Sequence, residues 1–305
     1  MNTALVDVRE LTKTYGDFVA VDSISFEVKQ GEIIGLLGPN GAGKTSTLEC
    51  LEGLRRPDRG RLRVAGVDPV GETRKLRNLI GVQLQTSGLP ESITPDEAIR
   101  LFCAYHNVAP RLDLLDRLGL GERRSAQFYQ LSTGQQRRLA LALAIAHRPQ
   151  VLILDEPTAG LDVATRVELH AMMRELQSGG ATIIMATHDM AEAEQMSDRV
   201  AILLQGKIVH TGTPIEITAT GAGLTKISVR TLAGNLALSL GGFPAVSHQV
   251  TKGEYSIYYS SDIGVTVPAI ITQIAAQGDS LVDLRVERPS LEDRFLEITD
   301  PGGER

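Results

Sequence analysis

Tryptophan is absent from this chain of 305 residues, and all aromatics together make up 4%. That scarcity argues against a stacking platform for nucleic acid or sugar. Cysteine is almost as rare. Cys50 and Cys103 stand alone, too few for a disulfide framework or a zinc cluster, which fits a reducing cytosol. No apolar run approaches the ~18 residues that a bilayer span requires; the most apolar stretch, Leu139 to Ala146, is closed by Arg138 and His147. The opening MNTALVDVRE has neither a basic start nor an apolar centre and does not read as a secretory signal. Positive charge is not in excess either: 31 Lys and Arg face 37 Asp and Glu, a net charge of −6. Nucleic-acid binding through bulk charge is thereby disfavoured.

What is present is ordinary for a globular chain. Hydrophobic residues make up 42% and charged residues 22%, which excludes a fibre or a wholly disordered protein. At roughly 150 residues per domain, the length predicts one large domain or two ordinary ones.

Residues 1–214 read as alternating strands and helices, an α/β domain with a largely parallel sheet. Strands are expected at Ser23–Val28, Glu32–Leu37, Arg61–Val64, Val151–Leu154 and Ala181–Ala186. Helices are expected at Lys44–Leu54, Pro95–Tyr105, Gln135–His147 and Val163–Gln177. Arg199–Leu204 and Lys207–His210 flank Gln205-Gly206 and read as a hairpin. A linker rich in Thr, Gly and Ala is placed at 215–223. Residues 224–305 then read β-α-β-β-α-β plus a terminal helix, a small α+β domain of ferredoxin-like order. Its parts are Lys226–Arg230, a helix over Leu232–Leu240, Ser247–Thr251, Tyr255–Ser260, a helix over Val265–Gln277 with Pro268 near its first turn, and Leu281–Glu287. Ser290 opens the last helix, with Asp293 as a capping partner.

Residues 38–45, GPNGAGKT, satisfy G-x-x-x-x-G-K-[ST]. Glycines let successive backbone N–H groups turn inward toward phosphate oxygens, and the helix from Lys44 adds its N-terminal dipole. Lys44 can reach the β- and γ-phosphates, and the Thr45 hydroxyl can ligate Mg²⁺. The four fixed positions match by accident in a chain this long on the order of one time in a hundred. The expected strand before the loop and helix after it lower those odds further.

Residues 151–157 read VLILDEP. A buried strand carries its last side chains to the carboxyl edge of the sheet, where ligands bind in open α/β folds. Asp155 there can hold Mg²⁺, and Glu156 can orient or deprotonate a water aimed at a γ-phosphate. Two adjacent acids also serve as helix caps or solvated turns; the loop upstream favours the catalytic reading.

LSTGQ at 131–135 resembles the signature of ABC-type ATPases, usually LSGGQ, and seven motifs appear in that family's order across residues 5–212. The resemblance implies an ABC cassette of the P-loop NTPase class, with a mostly parallel sheet, an antiparallel β subdomain and a helical subdomain. It implies ATP and Mg²⁺ as the bound pair. Tyr15 matches the aromatic that stacks on adenine. Gly38, Pro39, Asn40, Gly41, Ala42, Gly43, Lys44, Thr45 and Ser46 form the phosphate loop. Gln85 matches the glutamine that touches Mg²⁺ and faces the membrane partner; Gln83 stands close by, but the nine-residue distance from Gln85 to Thr94 favours Gln85. Ser132, Gly134 and Gln135 belong to the signature, Asp162 to the TAGLD loop, and His188 in ATHDM matches the histidine at the γ-phosphate. Thr45, Gln85 and Asp155 form the metal set; Glu156, His188 and Lys44 form the catalytic set.

Two departures are visible. Thr133 replaces the first glycine of the signature, and Ala159 stands where a serine is common. Elsewhere plainer readings hold: Leu139 to Ala146 is core, Cys50 is a packing residue, and Arg55, Arg56, Arg59, Arg61 and Arg63 line a solvated loop and strand.

The signature lies about ninety residues from the phosphate loop. In the family it completes the site of the opposite subunit, so the resemblance implies a head-to-tail homodimer around two ATP. It also implies a separate transmembrane permease docked around Gln85 to Thr94, and a peripheral place on the cytoplasmic face of the membrane. The tail, ending VERPSLEDRFLEIT, resembles bacterial drug- and antibiotic-resistance exporters. An importer ATPase with a regulatory tail is the alternative; many sugar importers resemble a small barrel there. A cassette acting on DNA or ribosomes is disfavoured, because the chain has no long heptad coiled coil, zinc module or second cassette. No nucleic-acid partner is expected.

Overall fold

The computed structural model describes residues 4–84, 88–219, 224–234, 236, 242–287 and 290–299. Gln85 and most of the helix expected over Leu232–Leu240 lie outside them. The described residues form two compact units, Met1–Thr213 and Pro214–Arg305.

The first unit begins with β1 (Ala4–Tyr15), β2 (Phe18–Lys29) and β3 (Ile33–Leu37), then α1 (Lys44–Leu51) and β4 (Arg59–Val64). It continues through α2 (Thr73–Arg77), β5 (Ile80–Gln83), α3 (Pro95–Tyr105), α4 (Asp113–Arg117) and α5 (Thr133–Ile145). It closes with β6 (Val151–Asp155), α6 (Val163–Ser178), β7 (Thr182–Thr187), α7 (Met190–Met196), β8 (Arg199–Leu204) and β9 (Lys207–Gly212). An antiparallel sheet of order β2-β1-β4 stands beside a six-stranded sheet of order β5-β6-β7-β3-β8-β9. The six-stranded sheet is parallel except for the β8–β9 hairpin.

Every residue of β3, β6 and β7 is buried, because both faces of the sheet are covered. Successive residues serve different cores. Ile33, Leu152 and Ile183 pack with α3, α4, α5 and α6. Their neighbours Ile34, Ile153 and Ile184 pack with α1 and the antiparallel sheet.

The second unit contains α8 (Pro214–Ala219), β10 (Thr225–Thr231), β11 (Val246–Lys252), β12 (Tyr255–Ser260), α9 (Ile263–Ala276), β13 (Leu281–Glu287) and α10 (Leu291–Thr299). Its antiparallel sheet has order β11-β12-β10-β13. Numbered within the unit, the order is second–third–first–fourth, that of a ferredoxin-like split βαβ arrangement. Tyr258 anchors its core, edge-on to Phe243 at 5.1 Å and packed with Ile227, Val229, Ile270 and Ile274. Ser290 and Asp293 cap α10 reciprocally, at 2.9 and 3.1 Å.

Two details differ from the sequence reading. Composition places a linker over 215–223, yet Pro214–Ala219 is helical. Pro268 is the sixth residue of α9 rather than part of its first turn; it removes the hydrogen bond that would return to the Gly264 carbonyl.

Candidate nucleotide site

Register levels the carboxyl ends of three parallel strands. Leu37 of β3 pairs with Thr187 of β7, and Asp155 of β6 pairs with Ala186 of β7. The phosphate loop, Glu156 and His188 therefore leave the sheet at one edge, where open α/β sheets bind ligands.

The loop needs its glycines. Gly43, the N-cap of α1, has φ +103°. A Cβ there would lie 2.4 Å from the Ala20 carbonyl oxygen. A Cβ on Gly38 would lie 2.3 Å from the Leu203 carbonyl oxygen. Backbone thus approaches backbone on two sides. The Lys44 ammonium is buried and donates to the Gly38 and Pro39 carbonyls at 2.6 and 3.2 Å. It lies 3.7 Å from Glu156 Oε1. Burial pulls its pKa down, and Glu156 and Asp155 oppose that shift. The Thr45 hydroxyl donates to Asp155 Oδ2 at 3.1 Å. Burial raises the Asp155 pKa, against the Thr45 hydrogen bond.

Glu156 is buried and holds φ +50°, a conformation that costs a non-glycine residue of order 1 kcal/mol. Its N–H donates to Ala186 O at 2.9 Å, which fixes it to the end of β7. His188 Nδ1 lies 2.8 Å from Glu156 Oε2. A carboxylate accepts, so Nδ1 donates and Nε2 is left for another partner.

A cavity of about 170 Å³ is lined by Asn40, Gly41, Ala42, Gly43, Lys44, Thr45 and Ser46, together with Tyr15, Asp155 and Glu156. The Tyr15 hydroxyl lies 3.4 Å from both Ser46 Oγ and Glu49 Oε2. Lys13 and Arg55 sit 5.4 and 5.9 Å from that ring.

Ser132, Gly134, Gln135 and Asp162 do not line this cavity. Ser132 caps α5: its Oγ accepts from Gln135 N at 3.2 Å, and Gln135 Oε1 accepts from Ser132 N at 3.0 Å. Asp162 caps α6 through the Thr165 N–H and hydroxyl, at 3.0 and 2.8 Å. Thr133 is the first residue of α5, in helical backbone, so the replaced glycine is not needed for its conformation there. Gly134 packs against Thr165, which a Cβ would meet at 2.9 Å.

Three residues escaped the sequence reading. Phe18 also lines the cavity and is 61% exposed. Arg137, one turn into α5, faces Asp155 and Glu156, donates to the Leu84 carbonyl at 3.3 Å, and has its pKa lowered by burial. Glu192 of α7 is buried and accepts from Thr158 at 2.5 Å, Thr187 at 2.7 Å and His170 at 3.1 Å. It joins the loop after Glu156 to the end of β7.

Comparison with known proteins gives the family. Residues 21–159 match the family described as ABC transporter. The chain is 33% identical to the daunorubicin resistance ATP-binding protein DrrA3 of Streptomyces coeruleorubidus, over 98% of this chain and 97% of that protein. The chain belongs to the ATP-binding proteins of ABC transporters. This ABC ATPase is also 37% identical to the Nod factor export ATP-binding protein I of Neorhizobium galegae, over 97% of its own length and 85% of the relative's. With the linearmycin resistance ATP-binding protein LnrL of Bacillus subtilis (strain 168) the identity is 31%, over 97% and 98% of the two chains. A solved structure described as an ATP binding subunit of an ABC transporter superposes with a TM-score of 0.66 at 30% identity, covering 70% of this chain and 91% of that one. No helix among the described residues of the ATPase is long and apolar enough to cross a membrane.

Proposed function

We propose that this ATPase drives a separate membrane permease for export of a drug, antibiotic or lipid-like cargo, closing as a homodimer around two Mg-ATP. The observation that carries the export reading is end-to-end similarity. DrrA3 and LnrL, named for resistance, align over 97% or more of their own length, so the likeness includes the second unit. That unit holds an open four-stranded sheet rather than a small barrel, which favours export over the sugar-importer alternative. In this reading residues 1–214 are the motor, 224–305 an accessory domain, and the assembly sits on the cytoplasmic face of the membrane.

The residues present fit a triphosphate with a divalent cation. The Thr45 hydroxyl and Asp155 carboxylate converge as hard oxygen donors, and the loop leaves room only for backbone. Thr45 and Asp155 would hold Mg²⁺, which supplies polarisation of the terminal phosphate. The chain's own groups do the rest. Lys44 presents its charge inside the loop. Glu156, fixed by β7 and by His188, accepts a proton from water. His188 orients Glu156 and keeps Nε2 for the γ-phosphate. Tyr15 offers an aromatic face to a base. Ser132, Gly134 and Gln135 at the start of α5, with Asp162 before α6, are offered to the nucleotide of the second subunit. Gln85 completes the metal set.

Glu156→Gln tests this directly. With ATP and Mg²⁺ the variant is expected to elute as a dimer with two retained nucleotides, and its turnover is expected to fall by ~10²–10⁴. Turnover at the wild-type rate would refute the general-base role, and a monomer under those conditions would refute the sandwich.

A further inference from the structure

Three consecutive side chains near the start of α5 leave the helix in three directions. Gln136 turns back, its Nε2 donating to the Phe128 and Leu131 carbonyls at 3.2 and 3.3 Å. Arg138 reaches the Leu118 carbonyl at 3.4 Å and Glu168 of α6 at 3.3 Å. Of the three, Arg137 alone turns to the strand ends, where its Nη1 donates to the Leu84 carbonyl at 3.3 Å. Gln83 of β5 pairs with Leu154 of β6, so Leu84 stands level with Asp155. The half-buried guanidinium also faces the Asp155 and Glu156 carboxylates. Those acids hold other donors: Asp155 Oδ2 accepts from the Thr45 hydroxyl, and Glu156 Oε2 from His188. Arg137 therefore acts on the pair through its charge, which a half-buried setting screens less than water does.

The same helix is pinned farther along. A Cβ on Gly81 of β5 would lie 2.0 Å from the Ala144 carbonyl oxygen, so α5 rests there backbone against backbone. Ala144 and Arg137 are seven residues apart, about 10 Å along the helix axis. Two ties over that span fix the direction of α5 across β5. Ser132, Gly134 and Gln135 lie beyond the outer tie, where a change of angle displaces them most. Their own reciprocal cap joins Ser132 to Gln135 within the helix start and sets no angle to the sheet. The outer tie needs a fork. One N–H serves the carbonyl while the charge faces two acids, which a planar guanidinium can do at once and a point charge does less well.

We propose that Arg137 is a positioning residue for hydrolysis: anchored on the Leu84 carbonyl and drawn by the Asp155–Glu156 pair, it sets the angle of α5 and thereby presents the signature to the second subunit's nucleotide. That role rests on the nucleotide-site reading. It adds the side chain through which a subunit's own acid pair governs the signature that it offers.

The test uses the full chain with Arg137→Met, which loses the charge and the donors, and Arg137→Lys, which keeps the charge. Spin labels on Leu54→Cys and Tyr129→Cys, both exposed positions, report the angle without nucleotide. Tyr129 follows Phe128, whose carbonyl holds Gln136 of α5, and Cys50 and Cys103 are buried away from the label. In Arg137→Met the distance distribution is expected to broaden about twofold and kcat of the unlabelled chain to fall by ~10–10²-fold, through misplacement of the signature. Affinity for a fluorescent ATP analogue is expected to stay within about threefold of wild type. Arg137→Lys is expected to recover part of both losses. An unchanged distribution or wild-type turnover in Arg137→Met overturns the positioning role. So does a parallel loss of affinity, or an Arg137→Lys chain no better than Arg137→Met. Wild-type turnover in Glu156→Gln instead overturns the nucleotide-site reading, and the role of Arg137 with it.

Discussion

The imidazole of His188 and the carboxylate of Glu156 meet at 2.8 Å across the ends of two adjacent parallel strands. The carboxylate is buried, while the His188 side chain is about half exposed. His188 therefore works as an arm from the solvent side that aims a buried base. His188→Ala is expected to keep nucleotide affinity within about threefold and to lower kcat by ~10²-fold, through loss of alignment at Glu156. Isothermal titration and steady-state turnover separate the two effects. A parallel loss of affinity would move His188 into the binding set.

Gly43 is the loop position with least freedom. A methyl group there meets the Ala20 carbonyl at 2.4 Å while φ stays at +103°. Gly43→Ala is expected to cost about 2–4 kcal/mol of unfolding free energy and to abolish ATP binding. Urea denaturation and binding of a fluorescent nucleotide check both parts.

Glu192 accepts from two buried threonine hydroxyls and also holds a buried histidine. Glu192→Ala leaves those donors unpaired, at about 1–3 kcal/mol for each buried group. The expected outcome is a loss of roughly 2–4 kcal/mol in urea titration, together with a fall in kcat. Glu192→Gln keeps acceptor capacity at one oxygen and is expected to lose less of both.

Glu52 gives a prediction with a definite sign. Burial, with Asp155 and Glu49 nearby, pushes its carboxyl up from the ordinary glutamate value of 4.5 to about 7 in the folded chain. The folded chain therefore binds the proton more tightly than the unfolded one does. Folding is favoured below the unfolded value, and that advantage is lost as pH rises through the folded one. Glu52→Gln is expected to stabilise the isolated chain at pH 8 by roughly 2–3 kcal/mol and to change little at pH 4.5. Paired thermal melts at the two pH values measure this. Equal effects at both would show that Glu52 does not titrate in that window.

Long periodic elements were legible in the sequence. Pro95–Tyr105 is helical over the expected range, and Val163 to Gln177 extends by one residue. Both carry caps that can be read locally, Thr94 with Glu97 and Asp162 with Thr165. β1 was not legible, because a bulge at Glu10, φ +51°, breaks the alternation that buries Val6, Val8 and then Leu11. β5, four residues long, and α7, seven residues long, are too short for periodicity to speak. In the nucleotide site, residues set by a spacing were legible and those set only by tertiary approach were not. The loop and the Asp155–Glu156 pair have fixed spacings. Arg137 and Glu192 act across the fold, Arg137 toward the ends of β6 and β5, and Glu192 across 34 residues to Thr158. Nothing local in the sequence marks those approaches.

The six-stranded sheet also carries an evolutionary consequence. Neighbouring residues of β3, β6 and β7 belong to opposite cores, and the same ladders level the ends that bear the loop, the acid pair and the histidine. One inserted or deleted residue inside any of these strands would exchange its two cores and retract its terminal side chain together. Length variation among descendants of this chain should therefore be confined to connections such as 106–112 and 146–150, while the strands keep a fixed reading frame.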